Sequence, residues 1–323
     1  MGAAREWLSC VPLPVGEETA GGQSITMQRR KISPMLILHT TAELRAALAG
    51  QTPVLVPTMG NLHAGHMRLI ERAVAEKAAD RASVVVASLF VNRLQFLPHE
   101  DFDAYPRTLI ADCEKLQAAG CDIAFAPSEA ELYPEPQGFK VHPPAAMADI
   151  LEGAFRPGFF TGVCTVVSKL FNLVQPRSAV FGKKDYQQLA VLRAMVRQMA
   201  MPIELIGVET ERAEDGLALS SRNGYLTATQ RQQALALSAS LRWLIAQAQA
   251  GRRDWQALES EAIAALNAQG WQSDYLTIRQ QSNLLPFLPN HGENAAQEAI
   301  SLVALGASRL GATRLIDNLE LTL

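Results

Sequence analysis

Residues Pro53–His66 read PVLVPTMGNLHAGH. The first five are apolar and β-favouring, closed at both ends by proline, and read as a buried strand, Pro53–Pro57. The glycine-bearing turn that follows opens a helix, Ala64–Ala79, with Leu69, Ile70, Ala73 and Val74 on one face. Beyond it, Ser83–Val91 (SVVVASLFV) is apolar throughout, as expected of a strand covered on both sides. The same rhythm continues outward: helix Thr108–Ala119, strand Asp122–Ala126, helix Gly162–Val174, strand Ala179–Gly182, helix Asp185–Ala200 and strand Ile203–Val208. Upstream, Thr40 and Glu43 have capping-box spacing before a short helix that Gly50 stops. Alternating strands and helices predict an α/β fold, a parallel sheet with helices on both faces. Ligands in such sheets sit beyond the carboxyl ends of the strands, so the segments after each strand are where chemistry is sought.

After residue 208 the texture changes. Thr227-x-x-Gln230 opens a long helix to about Ala250, and a second covers Trp255–Ala268. Tyr275–Arg279, Ile300–Ala304 and Arg314–Leu321 read as strands, with a polar loop at Asn283–Gln297. The chain is therefore expected to have a main domain, 35–207, and a smaller carboxyl-terminal α+β domain, 208–323; residues 1–34 read as a mobile amino-terminal extension or as the product of an upstream start codon. With 48% hydrophobic and 19% charged residues, a disordered chain is excluded. A net charge of -3 gives no support to nucleic-acid binding, and no apolar run is long enough to span a membrane. Cys10, Cys113, Cys121 and Cys164 lack metal-site spacing and read as free intracellular thiols, with the cytoplasm as the default location.

The turn after the first long strand carries His63 and His66, three apart at a helix start, near the positive end of its dipole. Gly60, Ala64 and Gly65 let a ligand approach the backbone, and a phosphate is the natural guest. The plainer reading is that both histidines cap and pack. The P-loop pattern is missing, and no further ligands stand at zinc spacing. Asn92 and Gln95 follow the next strand, where carboxamides can read a small substrate, or serve only as loop residues. Asp112 could ligate magnesium or be a solvated helix carboxylate. Glu152 and Arg156 could pair with each other or order the mouth of the site. Gly182-Lys183-Lys184-Asp185 leaves a strand end with a lysine suited to a phosphate chain, and Gln188 sits one turn on. Ser220, Ser221 and Arg222 suit a departing pyrophosphate, or form a simple turn with a surface arginine. No nucleophilic triad is visible.

Taken together these stretches resemble the pantoate–β-alanine ligase family. The matching motifs are PTMGNLHAGH (57–66), FVNRLQF (90–96), YPRT (105–108), LEGAFRPG (151–158), VSKLFNLVQP (167–176), FGKKDYQQL (181–189), DGLALSSRNGYL (215–226) and RLIDN (314–318), and the resemblance covers about residue 35 to the end. The resemblance implies a Rossmann-like nucleotide-binding domain of the HxGH nucleotidyltransferase type with a smaller domain closing over it. It implies that (R)-pantoate attacks ATP, with magnesium assistance, to give pantoyl adenylate and pyrophosphate. β-Alanine then displaces AMP to give pantothenate. Carried over by motif, Met59, Gly60, Asn61, Leu62, His63, Ala64, Gly65 and His66 would bind ATP, with His66 in the position of the family's acid catalyst. Carboxylate attack on phosphorus removes no proton, so His63 and His66 are better read as electrostatic stabilisers. Gly182, Lys183, Lys184, Asp185, Glu211, Leu219, Ser220, Ser221 and Arg222 would line the nucleotide, with Lys184 in the family's lysine position. Gln95 and Gln188 would hold pantoate, assisted by Asn92. A homodimer is also implied.

Departures are Arg93 for a usual proline, Phe159 and Thr161 for histidine and arginine, Lys183 for glutamate, and Ala111 where an acidic residue is common. They keep two rivals open, another HxGH nucleotidyltransferase and a regulatory nucleotide-binding protein.

Overall fold

The computed structural model describes residues 34–98, 100, 102–287 and 299–323. The expected amino-terminal extension, save Pro34, lies outside the described residues, as do Cys10 and part of the loop expected at Asn283–Gln297.

In chain order the first lobe contains β1 (Leu36–Leu38), α1 (Thr41–Leu48), β2 (Pro53–Thr58), α2 (Ala64–Ala78), β3 (Val84–Leu89), α3 (Leu109–Ala118) and β4 (Ile123–Phe125). Three single-turn helices follow, α4 (Glu129–Leu132), α5 (Ala145–Ala148) and α6 (Glu152–Phe155), and then α7 (Phe159–Val174), β5 (Ser178–Gly182), α8 (Tyr186–Gln198) and β6 (Glu204–Val208). The six strands form one parallel sheet in the order β1-β4-β3-β2-β5-β6. The alternation along β2 explains its two-sided cover. Val54 and Val56 pack with Leu69, Ile70 and Ala73 of α2 on one face, while Leu55 packs with α1, α7 and α8 on the other. β3 leaves β2 toward one edge of the sheet and β5 lies against its other side, so the winding reverses between β2 and β5. The crevice of such a sheet opens at that point.

Three-residue β1 has no counterpart in the sequence reading: it is too short for a period, and pairing to β4 makes it a strand. The Thr40–Glu43 capping box forms as expected.

The second lobe contains α9 (Ala228–Gln233), α10 (Leu235–Gln249), α11 (Trp255–Asn267), β7 (Trp271–Gln280), β8 (Ser301–Leu310) and β9 (Thr313–Thr322). The helix expected from Thr227 to Ala250 is broken at Ala234 into α9 and α10. The strands form an antiparallel sheet, β7-β8-β9. Leu302 and Ala304 of β8 pack under α10 and α11, while Val303 and Leu305 face Leu151 and Tyr186 of the first lobe. β8 runs past its expected end at Ala304 because Gly306 and Ser308, which break the apolar run, are themselves covered; Leu237 and Leu241 of α10 lie directly over Gly306. Cys113, Cys121 and Cys164 are buried and free. Among the described residues no helix is long and apolar enough to cross a membrane.

Candidate active site

The turn between β2 and α2 reverses through two residues of positive φ, Gly60 (81°) and Asn61 (50°). Asparagine tolerates this region through its short polar side chain, and glycine has no Cβ to clash. The turn is held from below. Asp112 of α3, 1% exposed, accepts the Asn61 and Leu62 N–H groups, each at 2.8 Å and each through a different carboxylate oxygen. Thr108 Oγ1 donates to the same carboxylate at 2.9 Å, and Lys115 Nζ to Leu62 O at 2.6 Å. Asp112 is therefore not a solvated carboxylate; it is the clamp of the loop. Among the described residues no three His, Cys, Asp or Glu side chains converge as a metal cage.

His63 and His66 occupy both roles of a reciprocal cap at the start of α2. His63 Nδ1 accepts the Gly65 N–H at 3.1 Å, and His66 Nδ1 accepts the His63 N–H at 3.2 Å. The rings lie 4.1 Å apart between centroids. An Nδ1 that accepts leaves the ring proton of the neutral form on Nε2, so each imidazole keeps one N–H donor. Burial, reinforced by Lys184 and Lys115, pushes His63 down to about 4, with Asp185 acting the opposite way. Burial, then His63, Lys184 and Lys115, push His66 down to about 3. The capping reading and the phosphate reading are thus compatible, because capping is what fixes the tautomer.

The 3-10 turn Arg93–Gln95 follows β3. Asn92 is 1% exposed and fully engaged: Oδ1 accepts Tyr133 Oη at 2.9 Å, and Nδ2 reaches Gly162 O at 3.2 Å and Gln95 Oε1 at 3.1 Å. It orients Gln95 and has no group left for a substrate, which corrects the direct role expected for it. Gln95 Nε2 points to Met59 Sδ at 3.1 Å, joining this turn to the β2–α2 loop. Gly162 of α7 makes the approach feasible, since a Cβ there would stand 2.1 Å from Leu94 O.

After β5, the 3-10 turn Lys183–Asp185 leads into α8. Lys183 pairs with Glu209 and Glu320 and is not directed at the site, against its expected place along the nucleotide. Lys184 has no ion-pair partner among the described residues and bears electrostatically on both imidazoles. It lines a cavity of about 600 Å³ between the two sheets, together with Asp185, Gln188, Ser220 and Arg222. Gln187 is buried instead, donating to Met147 O and Ile150 O at 2.8 Å each. Ser220 Oγ accepts the Arg222 N–H at 3.2 Å. Glu211 pairs with Arg68 of α2 at 3.0 Å, and its carbonyl accepts the Leu219 N–H at 2.9 Å.

The expected residues do not all share one wall. His63, His66 and Ser221 lie off the 600 Å³ cavity, and Gln95 borders a separate pocket of about 380 Å³. Met59 and Gly60 border a third space of about 530 Å³ with Asp112.

Two further features went unread in the sequence. Glu152 of α6 does not pair with Arg156. It takes Arg314 of β9 in a two-pronged ion pair and accepts Tyr275 Oη at 2.8 Å, while Arg156 pairs with Glu100 at 2.7 Å. Asn318 of β9 donates to Lys183 O and Lys184 O, at 2.9 Å each. The only signal for either was an unassigned polar pair in RLIDN. Of the departures, Arg93 pairs with Glu129 at 3.1 Å and stacks on Phe102, and Phe159 lies under the Arg156 guanidinium.

The family model "Pantoate-beta-alanine ligase" matches residues 36–320. Pantothenate synthetase of Leptothrix cholodnii is 62% identical over 291 residues, covering 88% of this chain and all of its own length. That of Verminephrobacter eiseniae is 57% identical with the same coverage. The crystal structure of pantothenate synthetase from Thermus thermophilus superposes with a TM-score of 0.78 at 44% identity, covering 88% of this chain and 99% of that one. The Francisella tularensis pantoate–β-alanine ligase, solved with a β,γ-ATP species and β-alanine, gives 0.72 at 31% identity over 88% of this chain and 97% of that one. Similarity that spans nearly every described element, at these identities, makes the assignment: the chain belongs to the pantoate–β-alanine ligase family.

Proposed function

We propose that this chain is a carbon–nitrogen ligase that joins (R)-pantoate to β-alanine at the cost of ATP, through a pantoyl adenylate. The observation that carries the reading is the reciprocal histidine cap of α2 at the reversal point of the sheet, with Lys184 on the turn that leaves the neighbouring strand β5. In the first step a pantoate carboxylate oxygen attacks the α-phosphorus, the bond to the β-phosphate oxygen breaks, and pyrophosphate leaves with the electron pair. No proton is transferred, so the site must neutralise charge and not move protons. The Nε2–H groups of His63 and His66 and the amino end of α2 meet the α-phosphoryl oxygens. Lys184, Arg222, Ser220 and Ser221 meet the leaving pyrophosphate. In the second step the β-alanine amine attacks the acyl carbon, the bond to AMP breaks, and the ammonium proton passes to solvent.

Gln95 and Gln188 hold pantoate, and Asn92 acts by orienting Gln95. Glu211 and Leu219 flank the adenosine side. The donor set does not fit a protein-held magnesium, since Asp112 already accepts three hydrogen bonds and no three His, Cys, Asp or Glu side chains converge among the described residues. Magnesium would enter on the phosphates, and no step is assigned to it. Two lobes meeting at 207/208 would move as the nucleotide-binding base and its cover. Cytoplasmic location is the default that the scattered cysteines support, and homodimer assembly rests on the family resemblance.

Pantoate-dependent ATP–pyrophosphate exchange tests the reading. Exchange with pantoate and no β-alanine is expected. Nucleotide binding without exchange would overturn it in favour of a regulatory role.

A further inference from the structure

The adjacent lysines of the β5–α8 turn face different fates, and β9 decides which is which. Successive side chains alternate across a strand, so Asn318 and Glu320 share one face of β9. Glu320 takes Lys183 Nζ at 2.8 Å and Tyr186 Oη at 2.8 Å. Asn318 is 6% exposed and spends both protons of its carboxamide on the turn, donating to Lys183 O and Lys184 O. The turn has no cap of its own: neither Gly182 nor Asp185 supplies a side-chain hydrogen bond to the helical start it opens. Asn318 is in turn fixed by Arg212, which donates to Asn318 O at 3.1 Å while gripping Asp317 at 2.8 and 2.9 Å.

We propose that Asn318 is a positioning residue for Lys184. By holding two consecutive carbonyls it sets the rotation of the turn, so that Lys183 is taken up by Glu320 and Glu209 and Lys184 is left to face the cavity. Asn318 itself touches no reacting atom. The proposal rests on the phosphate role read for Lys184.

A double-mutant cycle in the pyrophosphate exchange assay separates the two ideas. The set is wild type, Asn318→Ala, Lys184→Ala and the double variant, each with its Tm. Loss of two buried hydrogen bonds to the turn is expected to slow exchange by about tenfold in Asn318→Ala, in kcat more than in KM for pantoate. In the Lys184→Ala background the same change is expected to cost less than about twofold, because there is no longer an ammonium to aim. Asn318→Ser, which keeps one donor, should fall between, and it replaces Asn318→Ala in the cycle if the alanine variant does not fold. An equal fold-loss in both backgrounds, or no loss in the first, overturns the positioning role and leaves the Lys184 reading intact. Lys184→Ala exchanging at the wild-type rate overturns both.

Discussion

Glu152 and Arg314 lie 162 residues apart and meet in a two-pronged ion pair, both contacts 2.7 Å, on the wall of the central cavity. It is one of the contacts that tie the carboxyl-terminal sheet to α6. Side-chain exposures of 12% and 15% mean that neither group keeps much water.

Removing one partner from so dry a pair strands the other. Arg314→Met leaves Glu152 with the Tyr275 hydroxyl as its remaining side-chain donor. The expected loss is about 3–5 kcal/mol of unfolding free energy in urea. A loss below about 1 kcal/mol would mean the pair behaves as an exposed one. The pH dependence has a definite sign. Burial pushes the Glu152 carboxyl up, but the Arg314 hydrogen bonds and charge, with Tyr275, hold it below its usual 4.5. A depressed carboxylate stabilises the fold above its unfolded value, and that stability is lost as pH falls through the folded one. Arg314→Met should therefore show a shallower acid limb than wild type.

Asp112 yields a second prediction, because its two readings differ in how magnesium acts. As clamp, it holds two amide groups of a loop with two consecutive positive-φ residues. Asp112→Asn turns one acceptor into a donor aimed at an N–H. Pyrophosphate exchange is expected to drop by about tenfold or more, on the scale of a lost charged hydrogen bond, and to stay low as magnesium is raised. Recovery at high magnesium would restore Asp112 to the metal.

What the sequence disclosed and what it hid follow from the range of the forces involved. PVLVP and SVVVASLFV announce covered parallel strands because each residue's burial is written in its own side chain. The Thr40 cap was legible because both partners lie within one helical turn. The roles of Asn92, Gln187 and Lys183 were not. Each is settled by a partner between 26 and 137 positions away or by a backbone carbonyl, and composition carries no trace of either. Asp112 is the sharpest case: at its own helix position it looks like a surface carboxylate, and only the fold places two amide groups 51 and 50 residues upstream against it.

The histidine pair gives the last prediction. Burial and the nearby lysines hold His63 at about 4 and His66 at about 3, below their common ordinary value of 6.5. Between those limits the unfolded chain binds protons that the folded one refuses, so folding stability must fall as pH drops from 6.5 toward 4. Replacing both rings by glutamine, which cannot titrate, should flatten that part of the stability curve. Catalysis should show the complementary behaviour. Neutral rings with fixed Nε2–H donors need no proton from solution, so kcat/KM for ATP in the exchange reaction should carry no limb near 6.5 that belongs to them. His66→Ala should still slow exchange by about 10²–10³, the scale of one lost donor at a developing charge. A wild-type limb near 6.5 that disappears in His66→Gln would show the ring working as an imidazolium acid, and the stabilising role assigned to it would have to be given up.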